Sequence, residues 1–283
     1  MTETLAERVR RDLLKNRSFH EKLMSPFTKA LSRYELLAPG DHVAVCISGG
    51  KDSMLMAVLF SKLQSYSKIP FDVTFLVMDP GYRTENRRLL EENAAKLGID
   101  VKIFETQIFE AVDHIDDAPC YLCARMRRGA LYSQAKELGC NKIALGHHYD
   151  DVIETTLMGM LWSGQIQTMM PKLKSTNFEG MELIRPLYLI REQDIKDWCA
   201  FYDLHFLRCA CRLTEAAELA GAEDVSVSKR LETKRLIAEL KKTNPDVETN
   251  IFNSMKNVTV NMVLEYKKDG VRHSFLEEFS KEN

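Results

Sequence analysis

The stretch His42-Val43-Ala44-Val45-Cys46-Ile47-Ser48-Gly49-Gly50-Lys51-Asp52-Ser53 decides how this chain folds. Its first half is an apolar run that predicts a buried β-strand, and the apolar pattern after Ser53 predicts a helix. Two glycines between a strand and a helix let an anion approach the backbone, where the first N–H groups of the helix are unpaired. The spacing differs from that of the usual P-loop. We therefore predict a phosphate-binding turn made of Ser48, Gly49, Gly50, Lys51, Asp52 and Ser53.

Strand and helix patterns alternate after this turn, which is typical of a parallel sheet with helices on both faces. The expected strands of this α/β fold are five: Val43–Ile47, Val73–Met78, Val101–Phe104, Lys142–Leu145 and Leu183–Leu187. The expected helices are Ser53–Gln64, Glu85–Leu97, Cys123–Leu138, Asp151–Leu161 and Glu192–Tyr202. We divide the chain into a helical segment at 1–40, the α/β domain at 41–213 and a mostly helical extension at 214–283.

Two further motifs follow predicted strands, where parallel sheets bind their ligands. Met78 and Asp79 end the second strand, and Gly146-His147-His148-Tyr149-Asp150-Asp151 follows the fourth. The adjacent carboxylates of Asp150 and Asp151 suit Mg²⁺, a hard ion that takes oxygen ligands from carboxylates and phosphates together. The alternative is that the same pair caps the next helix and places negative charge in its first turn.

The cysteines form a second constellation. Cys120 and Cys123 are spaced as C-x-x-C, and Cys209 and Cys211 follow much later in the chain. Two thiols three positions apart can bind one metal centre, and the later pair can supply a third ligand. The spacing fits an iron–sulfur cluster with one open iron, a zinc site or a redox pair, and it does not decide among them.

The composition of the chain limits the classes of protein to which it can belong. The chain has 283 residues, a net charge of −2 and seven cysteines. An odd cysteine count without a secretory signal favours reduced thiols and a cytoplasmic location, and no apolar run is long enough to span a membrane. The net charge gives no general support for nucleic-acid binding, but Arg125, Arg127 and Arg128 lie beside the C-x-x-C pair. Those three arginines are either phosphate contacts or a solvated helix face.

The glycine turn resembles the pyrophosphate loop of the N-type ATP pyrophosphatases, the PP-loop family, whose pattern is SGGxDS. Within that family, five further motifs resemble the tRNA 2-thiocytidine synthetases. They are Cys120-x-x-Cys123 with residues 124–132, and residues 146–151, 170–173, 184–187 and 191–192. Residues 250–258 add a sixth, so the likeness runs from about residue 25 to about residue 257.

The resemblance implies an enzyme that thiolates a cytidine in the tRNA anticodon loop with ATP, Mg²⁺ and a [4Fe–4S] cluster. It assigns the cluster to Cys120, Cys123 and Cys209, with Cys211 as the rival third ligand because the family commonly has Pro-Cys-x-x-Cys there. It implies catalytic roles for Lys51, Asp52 and Asp150. Nucleotide binding falls to Ser48, Gly49, Gly50, Lys51, Asp52, Ser53, Met78, Gly146, His147 and Asp151.

Partners and rival functions follow from the same comparison. The expected partners are tRNA and a sulfur donor, either a cysteine desulfurase or free sulfide, with no membrane partner; a homodimer is compatible with this assignment. The alternatives are a PP-loop enzyme that modifies another tRNA base and a metal-dependent RNA-binding protein without catalytic turnover. Exchange of pyrophosphate into ATP separates the enzyme from the binding protein.

Overall fold

A computed structural model describes residues 3–112, 119–207 and 225–279 of the chain. The chain divides into two compact units. The first comprises Met1–Val152 and Met169–Lys229, and the second comprises Ile153–Thr168 and Arg230–Asn283. In the described ranges, no helix is both long and apolar enough to cross a membrane. Our own division at residues 40/41 and 213/214 stays a prediction.

The first unit begins with helices, as the sequence predicts. They are α1 (Leu5–Lys15), α2 (Arg17–Phe19), a π-helical turn (His20–Met24) and α3 (Ser25–Arg33). Thr4 and Glu7 form a capping box that fixes the start of α1. Leu13, Leu23 and Phe27 are fully buried in the main apolar core, whereas Leu14 is exposed.

The central sheet has six strands in the order β3-β2-β1-β4-β6-β5. All neighbouring pairs are parallel except β5 with β6. The prediction of a parallel sheet flanked by helices is confirmed, and β5 adds a sixth strand that we did not predict. A three-residue edge strand with only one apolar residue leaves too little periodicity to detect. The strands are β1 (His42–Ile47), β2 (Asp72–Asp79), β3 (Val101–Glu105), β4 (Lys142–Ala144), β5 (Lys172–Lys174) and β6 (Glu182–Ile184).

Six helices accompany these strands. All five that we predicted are present, with small shifts at their ends, and α6 is additional. Helix α4 is buried on nearly every side, from Met54 to Phe60, so it forms the centre of the core beside β1. The helices are α4 (Lys51–Gln64), α5 (Thr84–Lys96), α6 (Ile108–Val112), α7 (Pro119–Glu137), α8 (Tyr149–Ser163) and α9 (Glu192–Phe201).

A buried ion network closes the amino end of the sheet. Lys142, the first residue of β4, is 4% exposed, and its ammonium lies 2.8 Å from Asp41 and 3.1 Å from Glu182. It also donates to the Leu36 carbonyl at 3.1 Å. Lys142 and Asp41 are buried and hydrogen-bonded and Glu182 is partly buried, so the network ties β4 and β6 to the segment that leads into β1.

The C-terminal part contains a hairpin that we did not predict. After α10 (Val225–Thr243), α11 (Val247–Ser254) and a 3₁₀ turn (Val260–Met262) come β7 (Glu265–Lys268), β8 (Val271–Ser274) and α12 (Phe275–Phe279). Asp269 and Gly270 join the two strands, and both have positive φ, at 51° and 82°. Asp-Gly is a strong hairpin signal, and it was present in the sequence.

Candidate nucleotide site and cysteine-bearing helix

The glycine turn takes the conformation that an anion site requires. Gly50 is the N-cap of α4 and no side chain caps this helix, so its first N–H groups face the site without a side-chain acceptor. Gly49 has a φ of +83°, and a Cβ there would lie 2.6 Å from a methyl group of Leu207. The Leu207 N–H also donates to the Gly49 carbonyl at 3.1 Å. Glycine is therefore required at residue 49 by both backbone angle and packing.

The two serines of the turn have different environments. The buried Ser53 hydroxyl donates to the Gly50 carbonyl at 2.9 Å and accepts from the Ser48 N–H at 3.1 Å. Ser53 therefore holds the shape of the turn. The exposed Ser48 side chain lies 3.2 Å from the Ser53 hydroxyl and is the better placed of the two to reach a bound phosphate.

Lys51 and Asp52 begin α4 as an ion pair. The Lys51 ammonium lies 3.0 Å from Asp52 Oδ2 and 3.4 Å from a carboxylate oxygen of Glu192. Burial alone would lower the pKa of Lys51, but these two carboxylates raise it above its ordinary value. We did not assign Glu192 a role from the sequence, although Arg191-Glu192 was one of the motifs behind the resemblance.

The other oxygen of Asp52 has a distinct environment. Oδ1 is buried and accepts no hydrogen bond from any residue in the described ranges. The imidazole of the buried His148 lies beside it, with Nε2 3.8 Å from Oδ1. His148 Nδ1 accepts from the Asp151 N–H at 3.3 Å, which favours the tautomer with a proton on Nε2, facing Asp52.

The structure gives the adjacent aspartates Asp150 and Asp151 separate contacts. Asp150 accepts from the Arg191 guanidinium at 2.8 Å and from the Glu192 N–H at 2.7 Å, so it caps α9. Burial would raise the pKa of Asp150, but these bonds hold it below its ordinary value. Asp151 accepts from the His148 N–H at 3.0 Å. No group of three or more His, Cys, Asp and Glu side chains is placed to hold a metal ion in the described part of the chain.

A cleft of about 460 Å³ lies at the carboxyl ends of the strands. Six of the predicted nucleotide residues line it: Ser48, Asp52, Ser53, Met78, Gly146 and His147. Gly49, Gly50, Lys51, Asp150 and Asp151 are not lining residues. A Cβ on Gly146 would approach the Ser53 backbone N at 3.2 Å, so this glycine permits close packing of the two loops.

Helix α7 and the residue after β6 complete the cleft with positive charge. Arg127 and Arg128 on α7 and Arg185 after Ile184 are lining residues. Arg125 is exposed and does not line the cleft. The sequence therefore predicted two of the three cleft arginines. Arg185 lies within a motif that we quoted only for the resemblance.

The structure describes part of the predicted cysteine set. Cys123 is buried on α7 in a small apolar cluster with Met78, Ile108 and Phe109, and the next residue, Ala124, lines the cleft. Cys120 belongs to the same helix, but its side chain lies outside the described part. Cys209 and Cys211 also lie outside the described residues.

Three other cysteines lie in apolar surroundings. Cys46 and Cys140 are buried, and Cys199 is partly buried. Burial raises the pKa of Cys46 to about 12 and that of Cys199 to about 11. These thiols are therefore protonated at neutral pH and poorly suited as ligands or nucleophiles.

A glycine turn at the carboxyl edge of a parallel sheet, with an uncapped helix behind it, defines a nucleotide-binding protein of the PP-loop class. A model of the PP-loop domain matches residues 17–211. The tRNA-cytidine(32) 2-sulfurtransferase of Anaeromyxobacter dehalogenans (strain 2CP-C) is 32% identical over 247 residues, which cover 86% of this chain and 81% of that protein. The chain belongs to the tRNA-cytidine(32) 2-sulfurtransferases, a family of PP-loop enzymes.

A second relative agrees with this assignment, and a solved structure shares the fold. The tRNA-cytidine(32) 2-sulfurtransferase of Burkholderia mallei (strain SAVP1) is 32% identical over 257 residues, covering 90% of this chain and 74% of that protein. The U34-tRNA thiolase NcsA from Methanococcus maripaludis, solved with its [4Fe–4S] cluster, superposes with a TM-score of 0.64. It is 23% identical and covers 86% of this chain and 80% of its own, so it supports the fold. The predicted family and fold class are confirmed.

Proposed function

We propose that this protein uses ATP to replace the C2 carbonyl oxygen of a cytidine in the tRNA anticodon loop with sulfur. One observation carries the proposal: a single cleft is lined both by residues of the glycine turn and by the helix that bears Cys123. The relatives named as tRNA-cytidine(32) 2-sulfurtransferases support the substrate. ATP activation and sulfur delivery would then take place in the same cleft.

The first half of the reaction uses the glycine turn. The phosphates of ATP bind at the N-terminus of α4, with Ser48 as a hydroxyl donor. The C2 carbonyl oxygen of the base attacks the α-phosphorus, and the bond to pyrophosphate breaks. Lys51 stabilises the charge on the departing pyrophosphate. The product is an adenylated base, in which AMP is a far better leaving group than a carbonyl oxygen.

Magnesium fits this half of the site. Asp52 Oδ1 is a buried carboxylate oxygen with no hydrogen-bond donor in the described ranges, as expected of an oxygen reserved for a cation. We assign Mg²⁺ to Asp52 Oδ1 and phosphate oxygens, near Asp150 and Asp151, which form no three-ligand cluster with Asp52 in the described ranges. Because Asp150 already caps α9, its contribution would be to hold that edge of the site. The ion would neutralise phosphate charge during bond breaking.

The second half of the reaction uses the cysteines. Cys123 lies on the same helix as Cys120 and one residue before Ala124, which lines the cleft, and two thiols at this spacing can hold an iron–sulfur cluster. We assign Cys120 and Cys209 as the other two ligands, and Cys211 remains the rival of Cys209. The cluster would supply an iron that binds hydrosulfide. Hydrosulfide, supplied as free sulfide or released when a thiol reductant reduces the persulfide of a cysteine desulfurase, then bonds to C2. The C2–O bond breaks to release AMP, and the S–H proton is lost to solvent.

Analysis of thionucleosides in tRNA tests the proposal directly. Cells that lack the gene should lose 2-thiocytidine, and the wild-type gene should restore it. The gene with Asp52→Ala should not restore it, because the adenylation step would fail. Loss of 2-thiouridine with 2-thiocytidine intact would move the activity to another base. Unchanged thionucleosides would refute tRNA thiolation.

Metal analysis tests the cysteine assignment. Protein purified without oxygen should carry about four irons per chain, as expected of one [4Fe–4S] cluster. Cys120→Ala, Cys123→Ala and Cys209→Ala should each lose the iron, whereas Cys211→Ala and the buried control Cys140→Ala should keep it. Loss of iron in Cys211→Ala, with iron retained in Cys209→Ala, would make Cys211 the third ligand in place of Cys209. A zinc-loaded protein with full activity would exclude the cluster.

A further inference from the structure

The cleft carries more positive charge than the glycine turn explains. Three guanidinium groups line it, those of Arg127, Arg128 and Arg185, whereas Asp52 is the one carboxylate among its described lining residues. None of the three arginines pairs with a carboxylate in the described ranges. By contrast, Arg87, which lies outside the cleft, pairs with Asp79 at 2.6 Å. Unpaired cations that converge on one cleft indicate an anionic ligand.

Arg185 is the most informative of the three. It is 7% exposed, its Nη1 donates to the Met170 carbonyl, and its Nε is buried without a hydrogen-bond partner in the described ranges. Burial lowers the pKa of Arg185 to about 10, so the guanidinium is still charged at neutral pH. A buried charge without a counter-ion is costly, and a bound anion would remove that cost.

The strand order separates Arg185 from the glycine turn. β4 lies between β1, which leads into the turn, and β6, which leads into Arg185. Neighbouring strands are about 4.8 Å apart, so the ends of β1 and β6 are separated by about 10 Å. Met78, at the end of β2, lies on the other side of β1. An anion at Arg185 would therefore occupy a different part of the cleft from a phosphate on the glycine turn.

We propose that Arg185, with Arg127 and Arg128, forms a second phosphate-binding subsite in this cleft. A guanidinium presents several N–H donors in one plane, which matches the oxygens of a phosphate group. The phosphate comes either from ATP or from the tRNA backbone, and in naming these two sources the proposal rests on the proposed function. The subsite itself rests on the charge and burial of the three arginines.

A purely structural role for Arg185 predicts a different result. Its bond to the Met170 carbonyl holds the loop before β5, and Tyr188 holds the same loop by donating to the Met169 carbonyl at 2.8 Å. Tyr188→Phe removes the second of these bonds and leaves every cleft cation in place. This variant is therefore the matched control for loss of loop support.

The experiment measures the affinity of the full-length protein for ATP with Mg²⁺ and for an unmodified tRNA transcript, at several salt concentrations. Arg185→Met should weaken one of the two by about ten- to hundredfold, as expected for a charge-assisted hydrogen bond. If tRNA supplies the phosphate, the slope of log affinity against log salt should also fall by about one. Arg185→Lys should retain part of the affinity, and Tyr188→Phe should retain nearly all of it.

The outcomes are separable. Weaker ATP binding with unchanged tRNA binding supports the subsite and assigns the phosphate to ATP, and the reverse assigns it to tRNA. Unchanged affinity for both ligands, or an equal loss in Tyr188→Phe, overturns the proposal. If Arg185→Met does not fold, the double variant Arg127→Gln, Arg128→Gln tests the same subsite from the surface of α7. Failure of the thionucleoside assay would leave these binding measurements intact, so the two proposals fail independently.

Discussion

Two buried cations at opposite ends of the sheet differ in what surrounds them. Lys142 at the amino end is 4% exposed and contacts the carboxylates of Asp41 and Glu182. Arg185 at the carboxyl end is 7% exposed and contacts no carboxylate in the described ranges. Burial is nearly equal, so burial does not distinguish a structural cation from a ligand-binding one. The two kinds of cation are distinguished by whether a carboxylate of the protein lies beside them.

The difference follows from where each end of a parallel sheet is closed. At the amino end, the Leu36 carbonyl, Asp41 and Asn141 satisfy the buried groups, and Asn141 donates to Asp41 at 2.8 Å. At the carboxyl end, the turn at residues 48–53 and Arg185 leave donors unmatched, and Asp52 leaves an acceptor unmatched. If these groups were paired with each other, their interactions would stabilise the fold. Because they are unmatched at the carboxyl end, the same interactions are available for binding a ligand.

The largest effect is expected at the amino end of the sheet, from removal of the Lys142 ammonium. Lys142→Met should lower the free energy of unfolding by about 3–5 kcal/mol, because it leaves the buried Asp41 carboxylate without a cation, whereas Glu182 keeps Lys172 at 3.1 Å. Urea unfolding measures this loss. Lys174→Met on the exposed strand β5 is the matched control and should cost no more than about 0.5 kcal/mol. Equal losses in the two variants would remove the contrast between the two ends of the sheet.

A substitution at the carboxyl end of the sheet should lower enzyme activity and not stability. Asp52→Asn keeps the shape of the side chain but removes the charge that we assign to Mg²⁺. Formation of AMP and pyrophosphate should fall by about a hundred- to a thousandfold, as for loss of one preorganised charge in an active site. The free energy of unfolding should be little changed. Asp203→Asn, at an exposed position whose positive φ asparagine also tolerates, should retain activity.

A stable Asp52→Asn variant with normal ATP cleavage would show that Asp52 Oδ1 is not used in the reaction. A variant that unfolds would instead place Asp52 with the structural residues of the amino end. Either result would blur the distinction between the two ends of the sheet, whereas loss of activity in a stable protein sharpens it.

The sequence predicted those parts of the molecule that depend on local pattern. The strand His42–Ile47, the turn and α4 follow from an apolar run, two glycines and an apolar helix, and each is present. The cleft residues Ser48, Met78 and Gly146 follow from the rule that ligands bind at the carboxyl ends of parallel strands. These inferences need only neighbours in sequence.

The parts that the sequence did not predict depend on distant contacts. Asp150 caps a helix that begins 42 residues later, and Glu192 reaches Lys51 from that helix. Neither pairing leaves a local pattern. Arg185 has a polar side chain at a strand end, and only the fold shows that no carboxylate of the described residues pairs with it. The Asp269-Gly270 hairpin is different, because its turn signal was visible and was outweighed by the helical pattern around it.

Low pH should weaken the ion pairs that Lys142 makes at the amino end of the sheet. Burial would raise the pKa of Asp41 and of Glu182, but Lys142 and further hydrogen-bond donors hold both below their ordinary values. A carboxyl group whose pKa is lower in the folded state stabilises the protein at pH values above its unfolded-state pKa. It loses that contribution as the pH falls through its folded-state pKa. The stability difference between wild type and Lys142→Met should therefore be full at pH 7 and shrink below about pH 4.5.

Urea unfolding of both proteins at pH 7, 5, 4 and 3 measures this difference. The matched control Lys174→Met should stay parallel to wild type throughout, because no salt bridge of Lys174 exists in the described ranges to titrate. A difference between wild type and Lys142→Met that is as large at pH 3 as at pH 7 would show that Lys142 acts through packing alone.

The smallest effect is expected at Cys46, which lines the same cleft as Asp52 yet has saturated surroundings. Its thiol is buried in β1 and donates to the Ala44 carbonyl, with the sulfur 3.6 Å from the oxygen. Because burial raises the pKa of Cys46 to about 12, the thiolate that would bind iron or attack a substrate is scarce at neutral pH. Cys46→Ala should keep its iron and its rate of ATP cleavage, at a cost of about 1 kcal/mol in stability. Cys123→Ala, an equally buried thiol on α7, should lose the iron. Iron loss in Cys46→Ala would show that a buried thiol of β1, outside the C-x-x-C pair, is a ligand, and would overturn the assignment.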